Sequence, residues 1–327
     1  MAALAVITAS TVQRAVAFRP STVGLVRRGR LWQSVAMTTL VKAWNGARDR
    51  LKAAGVDSPV IDARLLLEAA AGATRADILA EPQRPLSDEE AGRLDEMVER
   101  RARREPISHI LGRKGFWSIM LQVTPDVLTP RPETEMVVDE ALRGFGERDR
   151  FSMLDLGVGS GAILLAILAE RPAARGLGVD VSEEALAVAR ENAANLGLGG
   201  RAALLRGDWT SGLDGDAFDL VVSNPPYIRS GEIATLEPEV RDHEPRLALD
   251  GGADGLDAYR QLAPEILRVL KPGGRFVVEI GHDQAEAVQS LFVAARAEAV
   301  SLSQDLQGRD RIVAGSKKPL GIVANNR

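Results

Sequence analysis

The residues best suited to chemistry form the tetrapeptide Asn224-Pro225-Pro226-Tyr227, which directly follows an apolar run that predicts a strand. Proline fixes its φ angle and lacks an N–H donor, so this loop should be rigid and should present carbonyl acceptors. The side-chain oxygen of Asn224 and the backbone carbonyl of Pro225 suit the two N–H bonds of a planar NH₂ group. The ring of Tyr227 is placed to stack on such a group. As a bare turn the tetrapeptide would be unremarkable, so its meaning depends on its neighbours.

A second chemical feature is the run Gly157-Val158-Gly159-Ser160-Gly161, which connects a predicted strand to a predicted helix. Glycine allows the φ angles of a tight turn and the close approach of a ligand to the backbone. The next predicted strand ends at Asp180, where a carboxylate can accept hydrogen bonds from both hydroxyls of a ribose. Glycine-rich turns are common, and this one also fits the dinucleotide pattern of a nicotinamide dehydrogenase. A dehydrogenase, however, has no use for the acceptor loop at residues 224–227.

The elements that position these loops alternate between strand and helix. Short apolar runs separated by amphipathic stretches predict an α/β domain with a mainly parallel, doubly wound sheet. Ligands of such sheets bind at the carboxyl ends of the strands, so the two loops should meet there. The predicted strands are Phe151–Leu156, Gly176–Val179, Ala202–Leu205, Leu220–Ser223 and Phe276–Ile280.

Residues 37–112 have helical periodicity and predict four or five short helices. Thr38 or Thr39 is placed to cap the first of them. Ser87, followed three residues later by Glu90, is the signature of a capping box. This part of the chain shows no catalytic constellation, which is typical of a recognition domain.

The arginine cluster, Arg100 to Arg104 without Ala102, ends the last long predicted helix. It has two interpretations: a solvated helix end favoured by the helix dipole, or a contact for an acidic partner or RNA. Beyond it, residues 113–133 combine strand character with three prolines and predict a two-stranded connector.

Composition and charge exclude several classes of protein. The 327 residues are 45% hydrophobic and 26% charged, as in an ordinary globular protein. The absence of cysteine excludes disulfides, thiolate metal sites and a cysteine nucleophile, and three scattered histidines predict no metal site. Residues 134–327 carry 21 basic and 30 acidic side chains, a net charge of −9. A domain this acidic is poorly suited to gripping a phosphate backbone unaided.

The first 36 residues have a composition of their own, with five arginines and no acidic residue. They fit translation from an upstream start, an organellar presequence or a structural arm. No apolar run approaches the roughly 20 residues of a membrane span. We therefore expect a soluble, cytoplasmic protein, with an organelle as the alternative.

These features together resemble the PrmC/HemK family, the N5-glutamine methyltransferases that modify peptide-chain release factors. The similarity runs from about Thr39 to Ala314. One departure is Val158, where the family usually has threonine. The segments that carry the resemblance are Ile110-Leu111-Gly112, Phe116, Pro130-Arg131-Pro132-Glu133-Thr134-Glu135, Leu154-Asp155-Leu156-Gly157, Asp208-Trp209, Ser223–Tyr227, Glu244-Pro245, Gly255-Leu256, Lys271-Pro272-Gly273-Gly274, Glu279-Ile280-Gly281 and Asp305-Leu306.

The resemblance implies a class I, Rossmann-like methyltransferase domain at residues 134–327, preceded by a leader (1–36), a helical release-factor-recognition domain (37–112) and a β connector (113–133). It implies a glutamine of the release factor's Gly-Gly-Gln loop as substrate, bound by Asn224, Pro225, Pro226 and Tyr227. Among these, Asn224, Pro225 and Tyr227 would be catalytic. The residues implied to hold S-adenosylmethionine are Gly157, Val158, Gly159, Ser160, Gly161, Asp180, Asp208, Trp209 and Asn224, with Trp209 against the adenine and Asp208 bonded to its amino group.

Two alternatives stay open at the level of sequence. The NPPY tetrapeptide is shared with adenine-N6 methyltransferases of nucleic acid, although such enzymes usually add a basic target-reading region. A protein that binds S-adenosylmethionine without catalysis is the other alternative. We expect a monomer that binds release factors and contacts neither nucleic acid nor membrane directly.

Overall fold

The computed structural model describes residues 38–320, so the predicted leader lies outside the described residues. The described chain begins with a bundle of five helices whose inner faces are apolar. The side chains of Leu40, Leu51, Leu66 and Val98 are completely buried in its core. The helices are α1 (Leu40–Ala53), α2 (Pro59–Ala71), α3 (Arg75–Ala80), α4 (Asp88–Ala102) and α5 (Ile107–Leu111).

The start of α4 confirms the predicted capping box. The hydroxyl of Ser87 accepts a hydrogen bond from the backbone N–H of Glu90 (3.1 Å), and the carboxylate of Glu90 accepts one from the N–H of Ser87 (2.7 Å). At α1 the N-terminal boundary residue is Thr39, but its side chain makes no capping hydrogen bond. The start of this helix was therefore predicted correctly, but the capping hydrogen bond expected for the threonine hydroxyl is not formed.

The arginine cluster at the end of α4 requires a correction. Arg101 is buried, and its guanidinium contacts Asp62 of α2 (2.7 Å) and Glu239 (2.8 Å), a residue far along the chain. Arg104 also contacts Glu239 (2.7 Å). A solvated helix end is therefore wrong for Arg101, and these two guanidinium groups already have acidic partners within the chain. Arg103 remains exposed.

A short hairpin follows, as predicted for the connector at residues 113–133. Strands β1 (Arg113–Phe116) and β2 (Ile119–Gln122) pair in antiparallel fashion. At its tip, Trp117 donates its backbone N–H to Glu135 (2.8 Å) and its indole N–H to Glu170 (3.0 Å). The hairpin is thereby fastened to the domain that follows it.

The second part of the chain is a seven-stranded sheet covered by helices on both faces. In the order β5-β4-β3-β6-β7-β9-β8 the first five strands are parallel, and the last two are antiparallel to their neighbours. The elements, in chain order, are α6 (Glu135–Leu142), β3 (Ser152–Leu156), α7 (Ala162–Glu170), β4 (Arg175–Asp180), α8 (Glu183–Asn195), β5 (Ala202–Arg206), β6 (Phe218–Ser223), α9 (Pro238–Arg241), α10 (Asp257–Val269), β7 (Leu270–Glu279), α11 (Ala285–Ala294), β8 (Ala297–Gln304) and β9 (Asp310–Lys317).

Strand β3 is the point where the strand order reverses, since β4 lies on one side of it and β6 on the other. Its successive side chains enter the two cores of the domain: Met153 packs in one, Leu154 and Leu156 in the other. Ligands of open α/β sheets bind at such a switch point, outside the carboxyl ends of the strands. The fold therefore brings the ends of β3, β4 and β6 together, as the predicted α/β architecture requires.

Candidate active site

A cavity of about 460 Å³ lies at this switch point, within the size range of small-molecule sites. Nine of the twelve residues that the sequence nominated line it: Gly157, Val158, Gly159, Ser160, Asp180, Asp208, Trp209, Asn224 and Pro226. Gly161, Pro225 and Tyr227 are not among its lining residues.

The glycine loop turns tightly from β3 into α7. Gly157, Gly159 and Gly161 have φ angles of +74°, +52° and +85°, in the left-handed region that favours glycine. At Gly161 a Cβ atom would lie 2.9 Å from Cδ1 of Leu165 in α7. Gly161 therefore shapes the loop from behind while its neighbours face the cavity.

Asp180, the last residue of β4, closes the glycine loop from the opposite side. One carboxylate oxygen accepts the backbone N–H of Gly159 (2.9 Å), and the other accepts that of Ser182 (3.0 Å). A carboxylate has about four acceptor positions, so both oxygens keep capacity for further donors. The side chain is thus held in place and can still accept hydrogen bonds from a diol.

Beyond β5, Asp208 and Trp209 form another wall of the cavity. Trp209 has a φ of +49°, unusual for a bulky residue. Its ring approaches Gly157, where a Cβ atom would lie 3.6 Å from Cζ3. The adjacent Thr210 is anchored by a hydrogen bond from its hydroxyl to Glu265 (2.9 Å). The strained turn therefore directs a flat aromatic surface at the glycine loop.

Asn224 follows β6 and enters the cavity from the other side of β3. The preceding Ser223 is fully buried, and its hydroxyl donates to the carbonyl of Leu156 at the end of β3 (2.7 Å). Nδ2 of Asn224 donates to the hydroxyl of Thr134 (3.1 Å). The loop is thus fastened to β3 on one side and to the segment before α6 on the other.

Tyr227 lies behind the loop. Its ring packs against the core beneath the cavity, and its hydroxyl donates to Glu279 at the end of β7 (3.4 Å). Burial raises the pKa of the tyrosine hydroxyl well above its usual value. Burial also raises the pKa of the Glu279 carboxyl to about 7, against the opposing effects of Thr134 and Arg311. Tyr227 is half-buried, and the stacking role expected of its ring stays a prediction.

Sequence reasoning assigned no role to the wall opposite the glycine loop. There Arg131 and Glu244 form an ion pair (2.6 Å) between two segments that line the cavity. Burial raises the pKa of the Glu244 carboxyl, and Arg131 opposes that shift. Both residues stand in motifs that supported the family resemblance, which was the available signal. Neighbouring Pro245 and Leu247 complete this wall, whereas His243 is not one of its lining residues.

Within residues 38–320, no group of three or more histidine or acidic side chains is arranged to hold a metal ion. None of the helices in the same range has both the length and the apolar character needed to cross a membrane.

Comparison with known proteins identifies the family. Residues 42–112 match the family described as PrmC N-terminal domain, and residues 147–317 match the methyltransferase domain. Over 282 residues the chain is 69% identical to the release factor glutamine methyltransferase of Caulobacter vibrioides, covering 86% of this chain and 98% of that protein. The protein of that name from Rhodospirillum rubrum is 46% identical over 83% of both chains. The chain belongs to the release factor glutamine methyltransferase family.

The methyl donor of a release factor glutamine methyltransferase is S-adenosylmethionine, and the cavity fits it. The spare acceptor capacity of Asp180 suits ribose hydroxyls, and the ring of Trp209 suits a flat base. The carboxylates of Asp180 and Asp208 also give the cavity negative charge, which favours a sulfonium cation. The donor set, the aromatic wall and the charge therefore agree with the cofactor that the family uses.

Proposed function

We propose that this chain transfers a methyl group from S-adenosylmethionine to the side-chain amide nitrogen, N5, of the glutamine in the Gly-Gly-Gln loop of a peptide-chain release factor. The observation that carries the proposal is the position of Asn224. Asn224 lines the same cavity as the glycine loop and Asp180. An acceptor for an NH₂ group therefore stands beside a nucleoside site, in a chain of the matching family.

In this reaction the protein mainly aligns the amide nitrogen with the methyl group that it receives. An amide nitrogen is a poor nucleophile, because its lone pair is delocalised into the carbonyl. In this proposal Oδ1 of Asn224 and the carbonyl of Pro225 accept hydrogen bonds from the two N–H groups, which orients the nitrogen and favours the positive charge that develops on it. Asn224 lines the cavity, whereas the role of Pro225, which does not, rests on the family resemblance alone. S-adenosylmethionine supplies a methyl group made electrophilic by its sulfonium. The methylated amide cation is acidic enough to lose its proton to water, so no side-chain base is required.

The remaining residues of the site have supporting roles in this proposal. Asp180 binds the ribose, Trp209 packs on the adenine, and Asp208 bonds the adenine amino group. Pro226 lines the cavity at the substrate side. Tyr227, whose hydroxyl donates to Glu279, would stack its ring on the glutamine amide.

The domain roles belong to the same proposal. Residues 37–112 would recognise the release factor, residues 113–133 would connect, and residues 134–327 would carry out methyl transfer. We infer a cytoplasmic monomer that makes no direct contact with nucleic acid. The −9 charge of residues 134–327 supports the last inference, because a phosphate backbone would be repelled.

The test is methyl transfer from labelled S-adenosylmethionine to a purified release factor, with the modified residue located by mass spectrometry. Asn224→Ala should lower turnover by two or more orders of magnitude, about 2.7 kcal/mol at the transition state, because one acceptor is lost. Cofactor affinity, measured by calorimetry, should change little by comparison, because the glycine loop and Asp180 are untouched. Asp180→Ala is the matched variant and should instead weaken cofactor binding by about 1–3 kcal/mol.

Replacing the acceptor glutamine of the release factor by alanine should abolish labelling. Persistent labelling of that substrate would refute amide methylation. Labelling of bare DNA would instead support the adenine-N6 alternative, since adenine also offers an NH₂ group to the loop.

A further inference from the structure

The charged side chains that line the cavity are mostly acidic. Carboxylates of Asp126, Asp180 and Asp208 line it, and among the residues that the structure describes Arg131 is the one cation that does so. S-adenosylmethionine has two positive groups, its sulfonium and its ammonium, and one negative group, the carboxylate of its amino-acid tail. The acidic side chains suit the two cations but repel that carboxylate. Its partner must therefore be Arg131 or a set of backbone N–H groups.

The backbone N–H groups of the glycine loop are largely engaged within the chain. Two of them donate to the carbonyl of Val179 (2.9 and 3.0 Å), one to the carboxylate of Asp180 (2.9 Å) and one to the carbonyl of Val158 (2.8 Å). The four loop residues whose N–H groups donate in this way are Gly157, Val158, Gly159 and Gly161. The backbone donors left for an anion are that of Ser160 and those at the start of α7, where a helix has no partner of its own for them.

Arg131 is held in place from two sides. Pro132 disfavours helical angles for the residue before it, and Arg131 is extended, with φ and ψ of −95° and 147°. Its Nη2 donates to the carboxylate of Glu244 (2.6 Å). The side chain of Glu244 is 1% exposed, whereas that of Arg131 is 35% exposed. A guanidinium has five N–H donors, so Glu244 anchors the group and leaves donors for a ligand.

The position of Arg131 matches the far end of the cofactor. Three residues along the chain, Thr134 contacts Asn224 at the end of β6 (3.1 Å), whereas Asp180 ends β4. Strand β3 lies between β4 and β6, and neighbouring strands are about 4.8 Å apart, so these two ends are separated by roughly 10 Å. With the ribose at Asp180, the amino-acid tail would run across the glycine loop toward Arg131.

We propose that Arg131, anchored by Glu244, binds the carboxylate of the amino-acid tail of S-adenosylmethionine. Guanidinium and carboxylate form charge-assisted hydrogen bonds, which are stronger than bonds between neutral groups. Glu244 supplies one carboxylate from the protein side, and the ligand brings the second. The inference rests on the proposed placement of the ribose at Asp180 and is independent of the identity of the methyl acceptor.

The test compares S-adenosylmethionine with its decarboxylated form, which keeps the adenosine, the sulfonium and the ammonium. Calorimetry without any methyl acceptor measures both affinities. The wild type should bind S-adenosylmethionine about 10- to 100-fold more tightly than the decarboxylated form. Arg131→Met should reduce this preference to less than about threefold, by weakening the binding of S-adenosylmethionine. An unchanged preference in the variant would overturn the proposal and assign the carboxylate to the backbone donors at the start of α7.

Two further variants keep the test decisive. Arg131→Met leaves Glu244 buried without its partner, so the double variant with Glu244→Gln replaces it if the single variant does not fold, and the same loss of preference is expected. Asp180→Ala is the control and should weaken both ligands about equally, because the ribose is common to them. A loss confined to S-adenosylmethionine in Asp180→Ala would contradict the assignment to Arg131. Failure of the wild type to methylate a release factor would count against the proposed function alone.

Discussion

At the scale of single residues, two buried carboxyl groups lie next to the loops of the candidate site. Asp155 beneath the glycine loop and Glu279 beneath the acceptor loop both have a pKa raised to about 7 by burial. Each of them accepts hydrogen bonds from a loop or helix that shapes the site, such as the backbone N–H of Leu164 on Asp155 (3.1 Å). The site is therefore supported from below by groups that are costly to ionise.

Glu279 makes stability depend on pH. Its folded pKa of about 7 exceeds its ordinary value of 4.5, so between these pH values the folded chain binds more protons than the unfolded chain. The stabilisation is complete below pH 4.5 and is lost as pH rises through 7. The pKa of Glu279 is influenced by Arg311, Tyr227 and Glu133. Glu279 in turn raises the pKa of Tyr259. A substitution at position 279 leaves these four residues unchanged.

We therefore expect the stability of Glu279→Gln, relative to that of the wild type, to increase by about 2–3 kcal/mol as the pH rises from 5 to 8. Urea unfolding at unit steps of pH measures the difference. Glu286→Gln, on an exposed position of α11, should follow the wild type across the same range. Parallel curves for Glu279→Gln and the wild type would contradict the raised pKa.

At the scale of elements, the glycine loop shows how backbone geometry creates a binding surface. Gly161→Ala should strain a residue with a φ of +85° and press a methyl group against Leu165. We expect a loss of about 1–3 kcal/mol in stability and a weaker cofactor affinity, because the loop must shift to relieve the contact. Thermal unfolding and calorimetry measure both.

Gly199→Ala is the control for this substitution. Gly199 also lies in a turn, but a Cβ atom there meets nothing within 4 Å. The loop interpretation fails if the two alanine variants bind the cofactor equally well.

The sequence allowed most of the elements to be predicted, for reasons that can be named. The central parallel strands β3, β6 and β7 contain apolar runs that are buried, and each produces a clear signal. The apolar runs of β4 and β5 were also predicted, although both strands are partly exposed. Strands β8 and β9 were not predicted. Much of β8 is exposed, at an edge of the sheet, so its sequence carries little apolar signal.

The site was predicted only in part, because long-range contacts decide the rest. The motifs located the loops, but the partnership of Thr134 with Asn224 spans 90 residues and leaves no local pattern. The burial of Arg101 is a similar case, since one of its partners is 138 residues away. The local charge pattern predicts the exposure of a helix end correctly only when no acidic side chain from a distant part of the sequence packs against that end.

At the scale of the whole molecule, ion pairs between side chains connect the helical bundle to the sheet domain. Arg101 holds Asp62 of the bundle and Glu239 of α9, and α9 belongs to the segment that continues from the acceptor loop to the cavity wall at Pro245. That segment is fastened a second time by the ion pair between Arg131 and Glu244. The bundle thus contacts, through α9, the chain segment that forms part of the cavity.

Asp62→Ala should destabilise the protein by about 2–3 kcal/mol, because the buried guanidinium of Arg101 loses one of its two carboxylate partners and keeps Glu239 and the backbone carbonyl of Glu105. Urea unfolding is the measurement. Asp57→Ala is the matched control: Asp57 is 79% exposed and lies 3.8 Å from Arg104. It should change stability by no more than about 0.5 kcal/mol. Comparable losses in both variants would show that the buried ion pair has no special weight.

The wide spacing of these partners also sets an order of events during synthesis. The bundle is built from neighbouring helices, whereas β3 must wait for β6, since Met153 pairs with Leu220. At about 5–20 residues per second, Glu239 leaves the ribosome on the order of ten seconds after Arg101. During that interval Asp62 is the partner that allows the guanidinium to be buried. The bundle can therefore close first on its own ion pair, and the arrival of α9 then joins it to the domain that contains the cavity.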